Sequence, residues 1–238
     1  MEHISHSVTM QRGRIFLSTD EIEKIKTILP RIFGVVSFSP AVQTTASLDD
    51  ISTVAQQLMK NVLTTEKSFA IRVTRVGTHP FTSQDVAIRI GNDIVTSTHA
   101  KVDLNAPGIK LFIEIREEKS FLFTEKIRGV GGLPSGTQGT IAALIENPMS
   151  LLAAWYLMRR GCNVFMVNTA VSNEHTISTF LRYWYADAES ITMDPTKEEF
   201  LTQLSDICSE KQCDALVTGH ALDEPDNPLL RLKQLKKN

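Results

Sequence analysis

The stretch TIAALIENPMSLLAAWYLMRRGCNVFMV, residues 140–167, decides the fold. Ile141 to Ile145 is an apolar run of strand length. Ser150 to Arg160 repeats apolar residues at helical spacing, and Asn163 to Val167 is a second strand-like run, so the stretch reads strand, helix, strand. Toward the C-terminus the alternation continues with a helix over Ser172 to Tyr185, a strand over Ser190 to Met193, a helix over Thr196 to Ser209 and a strand over Ala215 to Thr218. Thr196 and Glu199 stand at capping-box spacing. Such alternation predicts an α/β unit over residues 137–238, a small doubly wound parallel sheet with its ligand site at the carboxyl ends of the strands.

Toward the N-terminus the pattern changes. RGVGGLPSGTQG, residues 128–139, is too rich in glycine, and with Pro134, to lie inside a helix or strand, so it reads as a connector. Before it, FAIRVTRV from Phe69 is β-prone. A turn over Gly77 to Pro80, a helix from Gln84 to Thr96 and strands over Ile109 to Ile115 and Phe121 to Ile127 complete an α+β unit with a mixed or antiparallel sheet, assigned to residues 67–136. Residues 14–66 read β-α-β-α: a strand at Arg14 to Leu17, a helix through Ile22, Ile25, Leu29 and Ile32, a strand at Val35 to Phe38, and an amphipathic helix from Leu48 to Val62. Residues 1–13 are polar and read as loose.

At 238 residues the chain suits two or three modest domains. No apolar run approaches the roughly eighteen residues of a membrane span, and MEHISHSVTMQRGR does not read as a secretory signal. Cys162, Cys208 and Cys213 are a sparse, odd set with no common zinc spacing. They are read as structural, in a cytoplasmic protein with no metal. The formal charge of -2 hides an asymmetry: Lys67 to Arg128 holds ten Lys and Arg against seven Asp and Glu, whereas Asp194 to Asn227 holds nine acidic residues against two basic. A basic module between acidic flanks is what a polyanion partner needs, or simply two differently solvated faces.

The basic module supplies candidate contacts: Arg72, Arg75, His79, Lys101, Arg116 and Arg128 for phosphates, Phe81 for stacking on an unpaired base, and Thr82 and Ser83 beside it, with Gly131 and Gly132 allowing close backbone approach. Each has a plainer reading as well. Phe81 serves as core, Thr82 or Ser83 as a helix cap, and Arg72 as a strand charge facing water. His220, at the carboxyl end of a strand, lacks a nucleophile or metal partner in the sequence, and there is no Gly-x-Ser-x-Gly, dinucleotide or Walker sequence.

Taken together, FAIRVTRVGTHPFTSQDV (69–86), AKVDLNAP (100–107) and RGVGGLPSGTQG (128–139) resemble the THUMP domain of the tRNA 4-thiouridine synthetases, the tRNA sulfurtransferases. Residues 14–66 resemble part of that family's N-terminal ferredoxin-like domain without its opening strand. AAWYLMRRGC (153–162) and DALVTG (214–219) resemble its Rossmann-like pyrophosphatase-loop domain. The resemblance implies that the first two domains grip the acceptor end of tRNA and that the third adenylates a uridine with ATP before sulfur arrives from a cysteine persulfide.

The third domain departs from that pattern. Where the family reads Ser-Gly-Gly-x-Asp-Ser, this chain has Ile145, Glu146, Asn147, Pro148, Met149 and Ser150, and after DALVTG it continues His220 to Pro225 in place of an acidic residue and a Gly-Gln-rich stretch. No cysteine stands at the persulfide position. A phosphate cradle needs glycines and inward-pointing amides at a helix start. One carboxylate about 4 Å from one phosphate charge costs about 4 kcal/mol at an effective dielectric near 20. The expectation is therefore a tRNA-binding protein with no cofactor, retaining at most a residual nucleotide pocket at Leu144, Ile145, Ser150 and Gly219. The alternatives are an active or partner-assisted sulfurtransferase using ATP, and an assembly factor whose acidic third domain docks a protein; homodimerisation is open.

Overall fold

The computed structural model describes residues 4–11, 13–170 and 173–220; Ala221 to Pro225 lie outside it. The chain forms two compact units. One comprises residues up to Phe38 together with those from Arg128 onward, and the other comprises Ser39–Ile127. Residues 14–66, continuous in the sequence reading, thus divide between the units at Phe38.

In the N-terminal segment β1 (Ser7–Gln11) pairs antiparallel with β2 (Arg14–Ser18), a ribbon turned at Gly13 with φ of 77°. Part of the polar start that reads as loose is therefore a strand, because backbone pairing, unlike burial, needs no apolar side chains. After α1 (Ile22–Ile28), a 3-10 turn at Leu29–Arg31 and β3 (Ser37–Phe38), the chain enters the second unit.

That unit runs β4 (Val42–Thr45), α2 (Leu48–Lys60), β5 (Ser68–Val76), α3 (Ser83–Thr98), β6 (Lys101–Val102), β7 (Ile109–Arg116) and β8 (Lys119–Phe123). Its five-stranded mixed sheet has the order β4-β8-β7-β5-β6, with β5 parallel to β7 and β6, and β8 antiparallel to β7 and β4. Ile51, Ala55 and Met59 of α2, and Val86, Ile90 and Ile94 of α3, recur at fourfold spacing and are fully buried with Phe69, Leu111, Ile115 and Leu122 of the sheet. Each such aliphatic side chain contributes about 1.5–3 kcal/mol of transfer free energy.

After β9 (Ile127–Arg128), Gly129 and Gly131 run antiparallel beside the N-terminal segment. Gly129 N donates to Val36 O at 3.0 Å, and Gly131 N to Val35 O at 2.9 Å. The second sheet follows: β10 (Thr140–Ile145), α4 (Pro148–Arg159), β11 (Asn163–Asn168), α5 (Glu174–Tyr183), β12 (Ser190–Thr192), α6 (Phe200–Glu210) and β13 (Cys213–Val217). All pairings are parallel, in the order β12-β11-β10-β13. Alternation along β10 sends Ile141, Ala143 and Ile145 toward Leu151, Ala154 and Met158 of α4 and Ile177 of α5, while Leu144 packs with Phe165, Phe200 and Leu204 on the α6 side. The sheet is therefore covered on both faces, and its doubly wound form is as the sequence implies. Phe33 of the N-terminal segment is buried in the α4–α5 cluster.

Helix α6 begins at Phe200 rather than Thr196. Asp194 Oδ1 accepts from Thr196 N at 2.9 Å and from its hydroxyl at 2.6 Å, so the expected Thr196–Glu199 box gives way to an Asx turn. Among the described residues no helix is long and apolar enough to cross a membrane.

Candidate functional site

In the Ser39–Ile127 unit the end of β5, the turn after it and the start of α3 bring Arg75, His79, Phe81, Thr82 and Ser83 together. His79 Nε2 lies 2.8 Å from the carbonyl of Glu117 in the β7–β8 turn, and its Nδ1 lies 3.3 Å from Arg75 Nη1. A carbonyl only accepts and a guanidinium only donates, so the tautomer that satisfies both contacts has Nε2 as donor and Nδ1 as acceptor. The ring stacks on Phe81 with centroids 5.4 Å apart and planes 25° apart, and Phe81 packs in turn on the α2–α3 core. The core reading of Phe81 thus describes its packing, with His79 against the ring. Arg75 Nε is buried without a hydrogen-bond partner among the described residues, an unmet donor in an otherwise ordered cluster.

Thr82 is the N-cap of α3. Its hydroxyl accepts from Asp85 N, and Asp85 Oδ2 accepts from Thr82 N at 2.8 Å, completing a reciprocal box. The Thr82 amide and then its hydroxyl hold the Asp85 carboxyl below its usual range, with the positive charge of Arg75 a smaller contribution. Ser83 is the first residue of the helix.

The remaining sequence candidates fall elsewhere. Arg72 Nη2 donates to Leu104 O at 2.7 Å, on a loop where Asp103 accepts from Asn105 and Ala106 amides. Lys101 is exposed on the neighbouring β6. Arg116 is not a free cation: its Nε sits 2.6 Å from Glu114 Oε1, with both side chains nearly buried. Arg128, Gly131 and Gly132 belong to the other unit. There a Cβ at Gly132 would overlap the carbonyl of Arg159, so close internal packing accounts for that glycine. Glu117, whose carbonyl sets the His79 tautomer, has no mark in the sequence beyond its place in a turn.

The corner between β10 and β13 is the switch point of the second sheet, since the chain moves outward from β10 to β12 and returns to the opposite side. Pro148, the first residue of α4, carries no amide proton. Ser150 N donates to Asn147 Oδ1 at 3.1 Å, and the buried Ser150 hydroxyl accepts from Glu146 N at 3.3 Å. A Cβ at Gly219 would overlap Ser150 N, so the returning chain lies directly on the start of α4. Beside it His220 Nδ1 is 3.3 Å from Glu146 Oε2. Leu144 and Ile145 are core side chains on opposite faces of the sheet. The amides of Glu146 and Ser150 are thus engaged within the chain and Pro148 has none, next to a carboxylate.

Cys208 and Cys213 both pack against the α6-side core, and burial pushes both thiols above their ordinary range, which disfavours the nucleophilic thiolate. Among the described residues no three His, Cys, Asp or Glu side chains converge as a metal ion would need.

Comparison with known proteins places these features. The THUMP domain family matches residues 45–125. A probable tRNA sulfurtransferase of Methanothermobacter thermautotrophicus is 38% identical over 165 residues, covering 67% of this chain and 42% of that protein. Among solved structures, PH1313 of Pyrococcus horikoshii superposes with a TM-score of 0.83 at 23% identity, over 98% of this chain and 80% of that one. A 4-thiouridine synthetase, crystallised with RNA and bound ATP, gives 0.76 at 20% identity, over 90% of this chain and 64% of its own. Both structural likenesses establish the fold. The chain spans about half the length of the curated relatives it matches. The chain thus carries a THUMP domain followed by a parallel α/β sheet, and in sequence it is similar to tRNA sulfurtransferases over part of their length.

Proposed function

We propose that this protein binds tRNA at its acceptor end through the Ser39–Ile127 unit, and that its parallel α/β unit does not adenylate the RNA. The carrying observation is the Arg75–His79–Phe81 arrangement: a guanidinium beside an imidazole, with a buried donor unpaired among the described residues, next to a ring stack at the start of a helix. Such a set offers charge to a phosphate and a flat face to an unpaired base. Arg72 and Lys101, elsewhere on the same unit, are further exposed cations. Titration of whole tRNA should show affinity falling steeply with added salt, and Arg72→Ala with Arg75→Ala should weaken binding about tenfold or more and reduce the salt slope. Binding indifferent to both would overturn the assignment.

The engaged amides at α4, the overlying Gly219 and the Glu146 carboxylate support the absence of adenylation. Calorimetry with ATP, with and without tRNA, should give no heat of binding. Micromolar binding would instead favour a working or partner-assisted sulfurtransferase, the reading that the relatives' names suggest. Free thiols at all three cysteines suit a reducing compartment, so the cytoplasm is the proposed setting.

A further inference from the structure

Both tryptophans and all three tyrosines of the chain lie on α4 and the end of α5: Trp155, Tyr156, Tyr183, Trp184 and Tyr185. They are not a closed core. Tyr156 is 54% and Tyr183 50% exposed, and α5 borders a shallow cleft of about 410 Å3 lined by Leu151, His175, Thr179, Phe180, Tyr183 and Trp184. The Arg31 guanidinium lies 4.3 Å from the Tyr183 ring centroid. That of Arg159 lies 5.7 Å from Trp155 and is tethered by its Nε to Val130 O at 2.9 Å. Among the described residues neither arginine has a carboxylate partner. Helix α4 contains no acidic residue, and the one in α5, Glu174, accepts from the Thr192 hydroxyl. The acid of this unit is concentrated elsewhere: residues 186–219 hold eight Asp and Glu against two Lys.

This geometry points to a second RNA-contact surface on the α4–α5 face, taking unpaired nucleotides by stacking on Tyr156 and Tyr183 while Arg31 and Arg159 meet the phosphates. Half-exposed rings beside unpaired guanidiniums are the elements of a single-strand platform. Tyr, Trp and Arg also dominate protein interfaces. A second copy of this chain is disfavoured, because a twofold contact would set Arg31, Arg159 and Arg182 against their own counterparts. The surface is distinct from the Arg75 site, and it rests on the proposed tRNA function only for the choice of partner.

Both tryptophans being on this face, their emission reports it directly. The full chain titrated with oligouridylate at low salt should show saturable quenching. Tyr156→Ala with Tyr183→Ala should weaken it about tenfold, Tyr183→Phe should keep it, and Arg72→Ala with Arg75→Ala should leave the quenching in place, circular dichroism confirming the fold of each. The proposal is overturned if oligouridylate does not quench, if only the Arg72 and Arg75 changes abolish quenching, or if sedimentation shows a dimer that Tyr183→Ala dissociates. Quenching that depends on the tyrosines, with tRNA affinity indifferent to Arg72 and Arg75, would sink the proposed function and support this surface.

Discussion

His79 bridges two elements: in the tautomer that satisfies both contacts its Nε2 donates to Glu117 O and its Nδ1 accepts from Arg75. Arg75→Ala should therefore cost tRNA affinity about tenfold, the loss of one charge-assisted contact. His79→Ala should cost less but broaden the effect of salt, since the guanidinium loses its orientation; both are read by filter binding across a salt series. Replacing Arg116 should matter less than either, because Glu114 already neutralises it. In the other unit, Gly219→Ala drives a methyl into the Ser150 backbone and should destabilise the parallel sheet by about 1–3 kcal/mol in urea unfolding. Residue types at Arg75, His79 and Phe81 were legible from the sequence. The contribution of Glu117 and the neutralisation of Arg116 were not, since both depend on the register of β7 against its neighbours.

Helix α3 shows what an element adds. Its start depends on the Thr82–Asp85 box, and Thr82→Ala should cost about 1 kcal/mol. Asp85 has a folded pKa below its unfolded value, near 3.9, so its stabilisation is present above that value and fades as pH falls through the folded one. Hydrogen exchange in the first turn of α3 should accelerate as acid takes the pH below about 4, and Asp85→Asn should flatten that dependence. The sequence pattern predicts the helix over Gln84 to Thr96, and it spans Ser83–Thr98. Its end was obscure because His99 adopts the left-handed conformation, φ 57°, without the glycine that usually announces it. The alternating strands and helices after Thr140 were plain, for their apolar faces repeat cleanly. β1 was hidden, its polar residues Ser7, Thr9 and Gln11 giving no burial signal, and α6 was placed too early because Asp194 captures Thr196.

For the molecule as a whole, the sequence displays segments in order but not which of them share a core. Phe33 looks like any helical-face residue, yet it is 6% exposed and lies against Trp155 and Trp184, more than a hundred residues away. Residues 39–127 should therefore unfold cooperatively when expressed alone, and should keep salt-sensitive tRNA binding if Arg75 carries it; thermal melts and titration check each. Phe33→Ala should lower the stability of the other unit by about 3–5 kcal/mol and leave residues 39–127 unaffected. The hydrogen bond from Gly129 to Val36 also closes a loop whose entry and exit lie side by side. On the ribosome, the inserted module can complete itself first, while the leading thirty-eight residues wait for partners made much later. A ribosome stalled just after the insert should thus carry one finished module and an N-terminal arm still open to proteases.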